Sequence, residues 1–381
     1  MNESLRTEPL NLAELDAAAI LDSLPDGAYI TDTTRRILFW NRAAEQITGW
    51  KRERVLGHRC HDNILCHIDK DGHRLCGNEH CPLHRAMVTG TRSGKPMLLF
   101  AKRDDGSRVP VEVAVAPIRD ATDTVVGGIE IFRDLSPAQR EMNRARRIQR
   151  DTVGLRLAPD ERFAVRLRYT PHDELGGDFY RGETLPDGRL ALLLADVVGH
   201  GISAALYTMQ LRSLWEEGRG LLAEPDRFLA WLSGRVEQLT DDRLGYFATA
   251  VHTVYEPDTG RFRLGVAGHP PPVLVRSGAS QAERLQTSGP GLGLLPEPEF
   301  ELASGTLAPG DQLLLFTDGA FEITNASDEE LGEEKFIEWA CEAGLERGEA
   351  ALTELEENLL RYSNRLSLPD DLTLIQLERK G

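Results

Sequence analysis

The segment LLLADVVGHGISAA, residues Leu192–Ala205, joins an apolar run, a carboxylate and a glycine-rich turn. The run Leu190–Ala195 predicts a buried strand that ends near Asp196, and His200-Gly201 opens a predicted helix. The motif GGDFY, just upstream at residues 176–180, places Asp178 at the end of another predicted strand. Hard divalent cations prefer oxygen ligands, so two carboxylates at neighbouring strand ends predict a metal site.

Two further acidic motifs have the same placement at one end of a predicted strand. Asp318 lies in LLLFTDGAFE, and Asp370 and Asp371 lie in LPDDLTLIQL. Any one of these residues alone is more simply interpreted as a turn aspartate. Four such sites favour a metal site instead, because like charges that converge in one place need a cation to neutralise them.

Six motifs follow one another over residues of about 160–378: GGDFY, ADVVGHGISAAL, VAGHPPPVLV, GPGLGLLP, GDQLLLFTDGAFEITN and PDDLTLIQL. In this order they resemble the PPM-type protein serine/threonine phosphatases, in particular their SpoIIE-like bacterial branch. The resemblance implies an α-β-β-α sandwich that holds two Mn2+ or Mg2+ ions at one edge. It also implies hydrolysis of phosphoserine or phosphothreonine by a water molecule that the two metals activate.

The resemblance assigns roles to particular residues. Asp178 and Asp196 are implied to be catalytic and to bind the metals, with the Val197 carbonyl as a further ligand. Asp318 and Asp370 are implied to complete the second metal's shell, while the neighbouring Asp371 leaves the choice between the last two open. His200 and His269 are acid/base candidates, for which structural roles at the edge of the site are favoured.

The N-terminal third has a different pattern. The stretches DGAYITD, FWNRAAEQITGW and VVGGIEIFRDLS make residues 17–135 similar to a PAS sensor domain, an antiparallel sheet with helices. We therefore predict an α+β protein with four parts: a polar lead over 1–16, the PAS domain over 17–135, a helical linker over 136–159 and the phosphatase domain over 160–381.

The linker shows a weak heptad pattern. Its 4-3-4-3 positions are Ala138, Met142, Ala145, Gln149 and Thr152. Two interpretations remain open at this point. One is a solvated basic helix, and the other is a helix that pairs two chains into a homodimer and carries a signal from the sensor.

A cysteine- and histidine-rich insert occupies residues 57–84 and contains Cys60, Cys66, Cys76 and Cys81. The spacing lacks the Cys-x2-Cys pairs of common zinc sites. Three interpretations remain open: reduced thiols in a loop, a metal site with Zn2+ or an iron–sulfur cluster, and a reversible thiol redox switch.

Composition narrows the classes of function. A net charge of -17 argues against nucleic-acid binding. The sequence shows neither a membrane-spanning apolar run nor a signal peptide, so we expect a cytoplasmic protein without a membrane partner. The expected substrate, by resemblance, is a phosphorylated anti-sigma-factor antagonist. The alternative is a non-catalytic PAS signalling scaffold that binds metal in its cysteine-rich insert.

Overall fold

The computed structural model describes residues 16–381 apart from 71, 78–79, 200, 240–246, 296–297 and 366. The chain forms two compact units, one up to Glu141 and one from Met142 to Gly381. The boundary falls inside the predicted linker, within one helix, Ser136–Thr152. No helix in the described part of the chain is long and apolar enough to cross a membrane.

The N-terminal unit is one antiparallel sheet with helices. Its strands are β1 (Gly27–Asp32), β2 (Ile37–Trp40), β3 (Met97–Lys102), β4 (Arg108–Arg119) and β5 (Val125–Asp134), in the order β2-β1-β5-β4-β3. Its helices are α1 (Ala17–Asp22), α2 (Arg42–Thr48), α3 (Arg52–Val55) and α4 (Pro82–Thr89). Helix α2 starts where Asn41 accepts a hydrogen bond from the Ala44 N–H at 2.8 Å, the favoured use of asparagine at an N-cap. The predicted α+β sensor fold is confirmed.

Helix α5 (Ser136–Thr152) leads into the C-terminal unit. Further helices are α6 (Ile202–Glu217), α7 (Pro225–Leu239), α8 (Glu333–Glu342) and α9 (Glu349–Ser363), with short 3-10 helices at Arg219–Leu221, Asp318–Ala320 and Leu345–Arg347. The strands are β6 (Gly154–Arg156), β7 (Phe163–Thr170), β8 (Asp178–Thr184), β9 (Leu190–Val197), β10 (Ala248–Tyr255), β11 (Arg261–Ala267), β12 (Val273–Val275), β13 (Ala282–Arg284), β14 (Leu302–Thr306), β15 (Gln312–Phe316) and β16 (Leu372–Arg379).

These strands form two packed sheets. One has the order β14-β11-β10-β9-β8-β6 and the other β13-β12-β15-β16-β7. In β15, Leu313 and Leu315 join the core between the sheets, whereas Leu314 and Phe316 join a second core under α8 and α9. Burial on both faces explains why these strands are continuous apolar runs although the sheets are largely antiparallel. The predicted α-β-β-α sandwich is confirmed.

Candidate metal centre

The first pair of acidic residues lies on adjacent strands. Asp178 begins β8, and Asp196 is the penultimate residue of β9. The antiparallel register sets the two residues directly opposite each other. Cross-strand neighbours of this kind have closely spaced side chains, so the pairing expected from the two sequence motifs is present in the fold.

Asp178 is buried, with 1% of its surface exposed, and its two oxygens have different surroundings. Its Oδ2 accepts hydrogen bonds from Thr317 Oγ1 at 3.0 Å and from Thr373 Oγ1 at 2.5 Å. Its Oδ1 is buried and has no hydrogen-bond partner among the described residues. A buried carboxylate oxygen without a partner is costly, so this atom is suited to a cation.

Sequence reasoning did not single out the two threonines. Thr317 directly precedes Asp318, and Thr373 follows Asp371 by two residues, so both belong to the quoted motifs. Their position beside two aspartates is the signal that could have identified them.

Asp196 and Asp318 interact across the site. Burial is the main cause that raises the pKa of Asp196 to about 8, and repulsion from Asp318, Asp370 and Asp371 adds to it. Burial also raises the pKa of Asp318 to about 6, with further repulsion from Asp370 and Glu322. A divalent cation would lower both pKa values, because it stabilises the charged carboxylates.

The two neighbouring aspartates before β16, Asp370 and Asp371, differ in burial and in hydrogen bonding. Asp371 is 3% exposed and accepts three backbone N–H groups: Oδ1 from His172 at 2.7 Å, and Oδ2 from Gly177 at 2.5 Å and Asp178 at 3.3 Å. Asp370 is exposed and accepts only the Asp371 N–H, at 2.8 Å, among the hydrogen bonds of the described residues. Asp371 is therefore committed to holding the GGD backbone, while Asp370 is free to face a ligand.

Backbone approach at the site requires glycine. A Cβ added to Gly177 would lie 2.9 Å from the Val197 carbonyl oxygen and 3.0 Å from that of Gly199. A Cβ added to Gly319 would lie only 2.0 Å from the Asp371 carbonyl oxygen. These glycines let the motif backbones pack together, with the Val197 carbonyl close to Gly177, the residue before Asp178.

The donor set fits a hard divalent cation, because it consists of carboxylate and carbonyl oxygens around an unpaired carboxylate atom. Within the described ranges, however, no three His, Cys, Asp or Glu side chains already stand in position to hold an ion. The fold thus brings the predicted aspartates into one electrostatic cluster without closing a ligand shell.

Of the two histidines that the sequence offers as acid/base candidates, the structure describes only His269. His269 is buried, and burial lowers its pKa to about 3. Its Nδ1 lies 2.8 Å from Thr249 Oγ1, and Thr249 is paired with Asp196 in the sheet. This places His269 behind the carboxylates, in agreement with a structural role. His200 lies outside the described residues.

The cysteine-rich insert divides into two groups. Cys60, Cys76 and Cys81 are buried in the N-terminal unit, and each thiol pKa is raised, mainly by burial. Cys66 is buried elsewhere, where its Sγ lies 3.7 Å from Arg74 Nη2 and 3.9 Å from the His61 carbonyl oxygen. The described cysteines are free thiols. The structure therefore does not bring the four predicted ligands together as one set.

Comparisons with known proteins agree with this architecture. Residues 186–380 match the family model for stage II sporulation protein E (SpoIIE), and residues 25–137 match a PAS domain model. The phosphoserine phosphatase RsbP of Bacillus subtilis is 30% identical over 190 residues, which cover 49% of this chain and 46% of RsbP. The phosphoserine phosphatase RsbU of the same organism is 26% identical over 243 residues, which cover 63% of this chain and 70% of RsbU.

Among solved structures, the SiaA-PP2C domain of Pseudomonas aeruginosa is similar with a TM-score of 0.55 and 19% identity. The similarity covers 65% of this chain and 98% of that domain, and it supports the PP2C fold. The chain spans slightly less than half the length of RsbP, the first of these relatives.

Proposed function

Because this chain belongs to the SpoIIE family, we propose that it is a sensor-regulated, metal-dependent protein phosphatase that hydrolyses phosphoserine or phosphothreonine. The observation that carries the proposal is Asp178, whose Oδ2 is held by two threonines while its buried Oδ1 has no partner among the described residues. Such an atom, within a cluster of carboxylates, is suited to binding a cation rather than to stabilising the fold.

We propose that two Mn2+ or Mg2+ ions are held by oxygen ligands alone, from Asp178, Asp196, the Val197 carbonyl, Asp318 and Asp370. When bound, such a pair of ions activates water for in-line attack and stabilises the charge on the phosphoryl oxygens. Asp371 is a positioning residue in this assignment, because its three backbone hydrogen bonds hold the ligand-bearing turn.

The protein's own groups prepare the site in two ways. Thr317 and Thr373 fix the orientation of Asp178, so that one carboxylate oxygen always faces the cluster. Burial and repulsion from Asp318 raise the pKa of Asp196, and a side-chain hydrogen bond joins the two carboxyl groups, so they share a proton when no cation is bound. Fixed ligands of this kind lower the reorganisation that the reaction requires.

The substrate proposal rests on the relatives. RsbP and RsbU are named phosphoserine phosphatases, and the chain resembles them over 190 and 243 residues, respectively. We propose a cytoplasmic phosphoprotein substrate, and specifically a phosphorylated anti-sigma-factor antagonist in a partner-switching pathway. A net charge of -17 is consistent with a protein rather than a nucleic acid as the partner.

Regulation is proposed to act through the linker. Gln149 is buried, and its Nε2 donates to the Gly176 carbonyl at 2.6 Å while its Oε1 accepts the Gly176 N–H at 3.3 Å. Arg146 donates to the Glu174 carbonyl at 2.8 Å. Helix α5 is therefore hydrogen-bonded to the turn that leads to Asp178. We propose that a PAS sensor over 17–135 changes these hydrogen bonds through the linker 136–159, within a homodimer. This change would control the activity of the phosphatase domain over 160–381.

The test uses the full-length protein with p-nitrophenyl phosphate and with phosphoserine and phosphothreonine peptides. We expect activity with Mn2+, loss of activity with a chelator, and recovery when Mn2+ returns. Asp178→Asn should be inactive. Asp328→Asn is the matched control, because Asp328 is an exposed aspartate of the same unit whose φ of 65° asparagine also adopts. Full activity in Asp178→Asn, or none in the unmodified protein with Mn2+, would favour the non-catalytic scaffold.

A further inference from the structure

The core of the N-terminal unit contains an unusual set of polar groups. Glu130 on β5 is paired across the sheet with Tyr29 on β1, and the Tyr29 hydroxyl donates to Glu130 Oε2 at 3.0 Å. Glu130 Oε1 lies 3.4 Å from His67 Nε2. Both side chains are almost fully buried, and neither of these two atoms has a hydrogen-bond partner among the described residues.

A buried polar atom without a hydrogen-bond partner is costly, and a folded domain normally avoids it. His67 Nε2 and Glu130 Oε1 are two such atoms, and they face each other at 3.4 Å. A proton on His67 Nε2 would satisfy both atoms, and it would leave His67 Nδ1 unprotonated and able to bind a metal ion.

Three thiols share this region. Cys60 and Cys81 belong to the same core as Tyr29, and Cys76 is buried in contact with His67. Tyr29 and His67 are the side chains that contact Glu130, so the three thiols and the carboxylate belong to one part of this unit.

The contacts between His67 and Cys76 have ligand-like geometry. His67 Nδ1 lies 3.7 Å from Cys76 Sγ, and the His67 backbone N–H points to the same sulfur at 3.0 Å. A nitrogen and a sulfur bound to one tetrahedral zinc ion are about 3.6 Å apart, given bonds of roughly 2.1 and 2.3 Å. An N–H group directed at the sulfur favours its thiolate form.

The other nitrogen of the same imidazole faces the carboxylate. Histidines that bind a metal commonly direct their second ring nitrogen to a carboxylate, which fixes the tautomer and the ring orientation. Glu130 occupies that place, and Tyr29 in turn holds Glu130. The arrangement is thus a carboxylate–histidine pair directed at a cysteine.

We infer that Cys60, Cys76, Cys81 and His67 Nδ1 form a tetrahedral site for a zinc-class ion in the core of the N-terminal unit, with Glu130 as the carboxylate that orients His67. His67 thus replaces Cys66 as the fourth ligand, since the Cys66 sulfur is directed to Arg74 and His61. A histidine in the fourth position favours zinc over a four-thiolate iron–sulfur cluster.

Binding balances as an exchange of protons for a cation. One Zn2+ enters and the three thiols release three protons, so the ion with its three thiolates and neutral imidazole carries one net negative charge, and Glu130 accepts a hydrogen bond from the Nε2–H of His67. No three described His, Cys, Asp or Glu side chains yet surround a single point at ligand distance. Ligation therefore turns the Cys60 and Cys81 thiols toward the His67–Cys76 pair.

The experiment is a titration of the chelator-treated full-length protein with Co2+, followed by absorption spectroscopy, together with elemental analysis of the protein as purified. We expect one zinc per chain, and a sulfur-to-cobalt charge-transfer band whose intensity corresponds to three thiolates. The aspartates of the C-terminal unit contain no sulfur and cannot produce that band. A band for four thiolates, the absence of a band, or bound iron with inorganic sulfide would each overturn the inference.

Variants assign the ligands. Cys76→Ser should lose the three-thiolate band, and Cys66→Ser is the matched control that should keep it, because both cysteines are buried in the same insert. Glu130→Gln keeps every ligand and should weaken zinc affinity by about 10- to 100-fold. This last variant covers the case in which Cys76→Ser fails to fold. Equal loss in Cys66→Ser and Cys76→Ser, or unchanged affinity in Glu130→Gln, would contradict the assignment.

Discussion

The neighbouring residues Asp370 and Asp371 should separate activity from stability when each is replaced by alanine. Asp371→Ala removes the acceptor of three backbone N–H groups in the buried turn around Gly177. Asp370→Ala removes an exposed carboxylate whose oxygen accepts only the next residue's N–H among the hydrogen bonds of the described residues. We therefore expect a large loss of stability from the first change and a loss of metal-dependent activity from the second.

The magnitudes follow from the contacts. A hydrogen bond to a charged group contributes about 1.5–3 kcal/mol, so the two short bonds from His172 and Gly177 predict a loss of about 3 kcal/mol or more in Asp371→Ala. For a unit of this size, 1 kcal/mol shifts the melting temperature by about 2–4 °C, so the expected decrease is about 6–12 °C. Asp370→Ala should change the free energy of unfolding by about 0.5 kcal/mol or less, as at other exposed positions.

The assay compares thermal unfolding of both full-length variants in the presence of a chelator with hydrolysis of p-nitrophenyl phosphate across a Mn2+ series. Asp370→Ala should have the melting temperature of the unmodified protein. Its rate of p-nitrophenyl phosphate hydrolysis should fall by more than about 10- to 100-fold, the loss that is typical of a group that only orients a metal ligand. The reasoning is refuted if Asp370→Ala stays active at low Mn2+, or if Asp371→Ala keeps its melting temperature.

Three further outcomes follow from single contacts. Burial lowers the pKa of His252 to about 4, below its ordinary value of 6.5, so the folded state favours the neutral imidazole. Up to about 3 kcal/mol of stability should therefore be present above pH 6.5 and be lost as the pH falls toward 4. In His252→Gln, the free energy of unfolding should decrease less steeply over the same acid range. Gln149→Ala removes both hydrogen bonds to the Gly176 backbone and should lower kcat/KM by about 5- to 10-fold, or roughly 1–1.4 kcal/mol, without changing the preference among peptides. An unchanged rate with an unchanged Mn2+ dependence would count against the linker proposal. Gly319→Ala places a Cβ against backbone and should destabilise the protein by about 1–3 kcal/mol in urea unfolding, whereas Gly220→Ala, with nothing within 4 Å, should not.

The secondary structure was largely predictable, because all three sheets are built from runs whose periodicity is visible locally. The spacing of apolar residues predicts a helix over Pro225–Leu239, and α7 has these bounds. The alternating run Arg108–Ile118 predicts a strand, and β4 ends one residue later, at Arg119. For Asp328–Arg365 the sequence predicts a helical stretch that is broken near Gly344–Gly348. The structure has α8 and α9 with a short 3-10 helix between them.

The linker shows where periodicity alone fails. If the linker pairs two chains, the heptad pattern predicts Gln149 in the seam between them, but in the structure the side chain is buried against Gly176 of its own chain. The spacing along the helix is the same whether a polar residue faces a second chain or hydrogen-bonds to a backbone turn of its own chain. Only the fold distinguishes them, because the partner lies 27 residues further along the chain.

The sequence by itself determined the family, the order of the motifs and the set of aspartates, because strand ends and glycine turns are local properties of the chain. Only the tertiary structure decided which carboxylate oxygen is free, since Asp178 is held by Thr373, which is 195 residues away. The same holds for Asp371, whose oxygens accept N–H groups from His172 and Gly177, and for His67, which contacts Cys76 and Glu130. Hydrogen bonds between distant segments use up some polar groups and leave others available, and spacing along the chain does not encode that distribution.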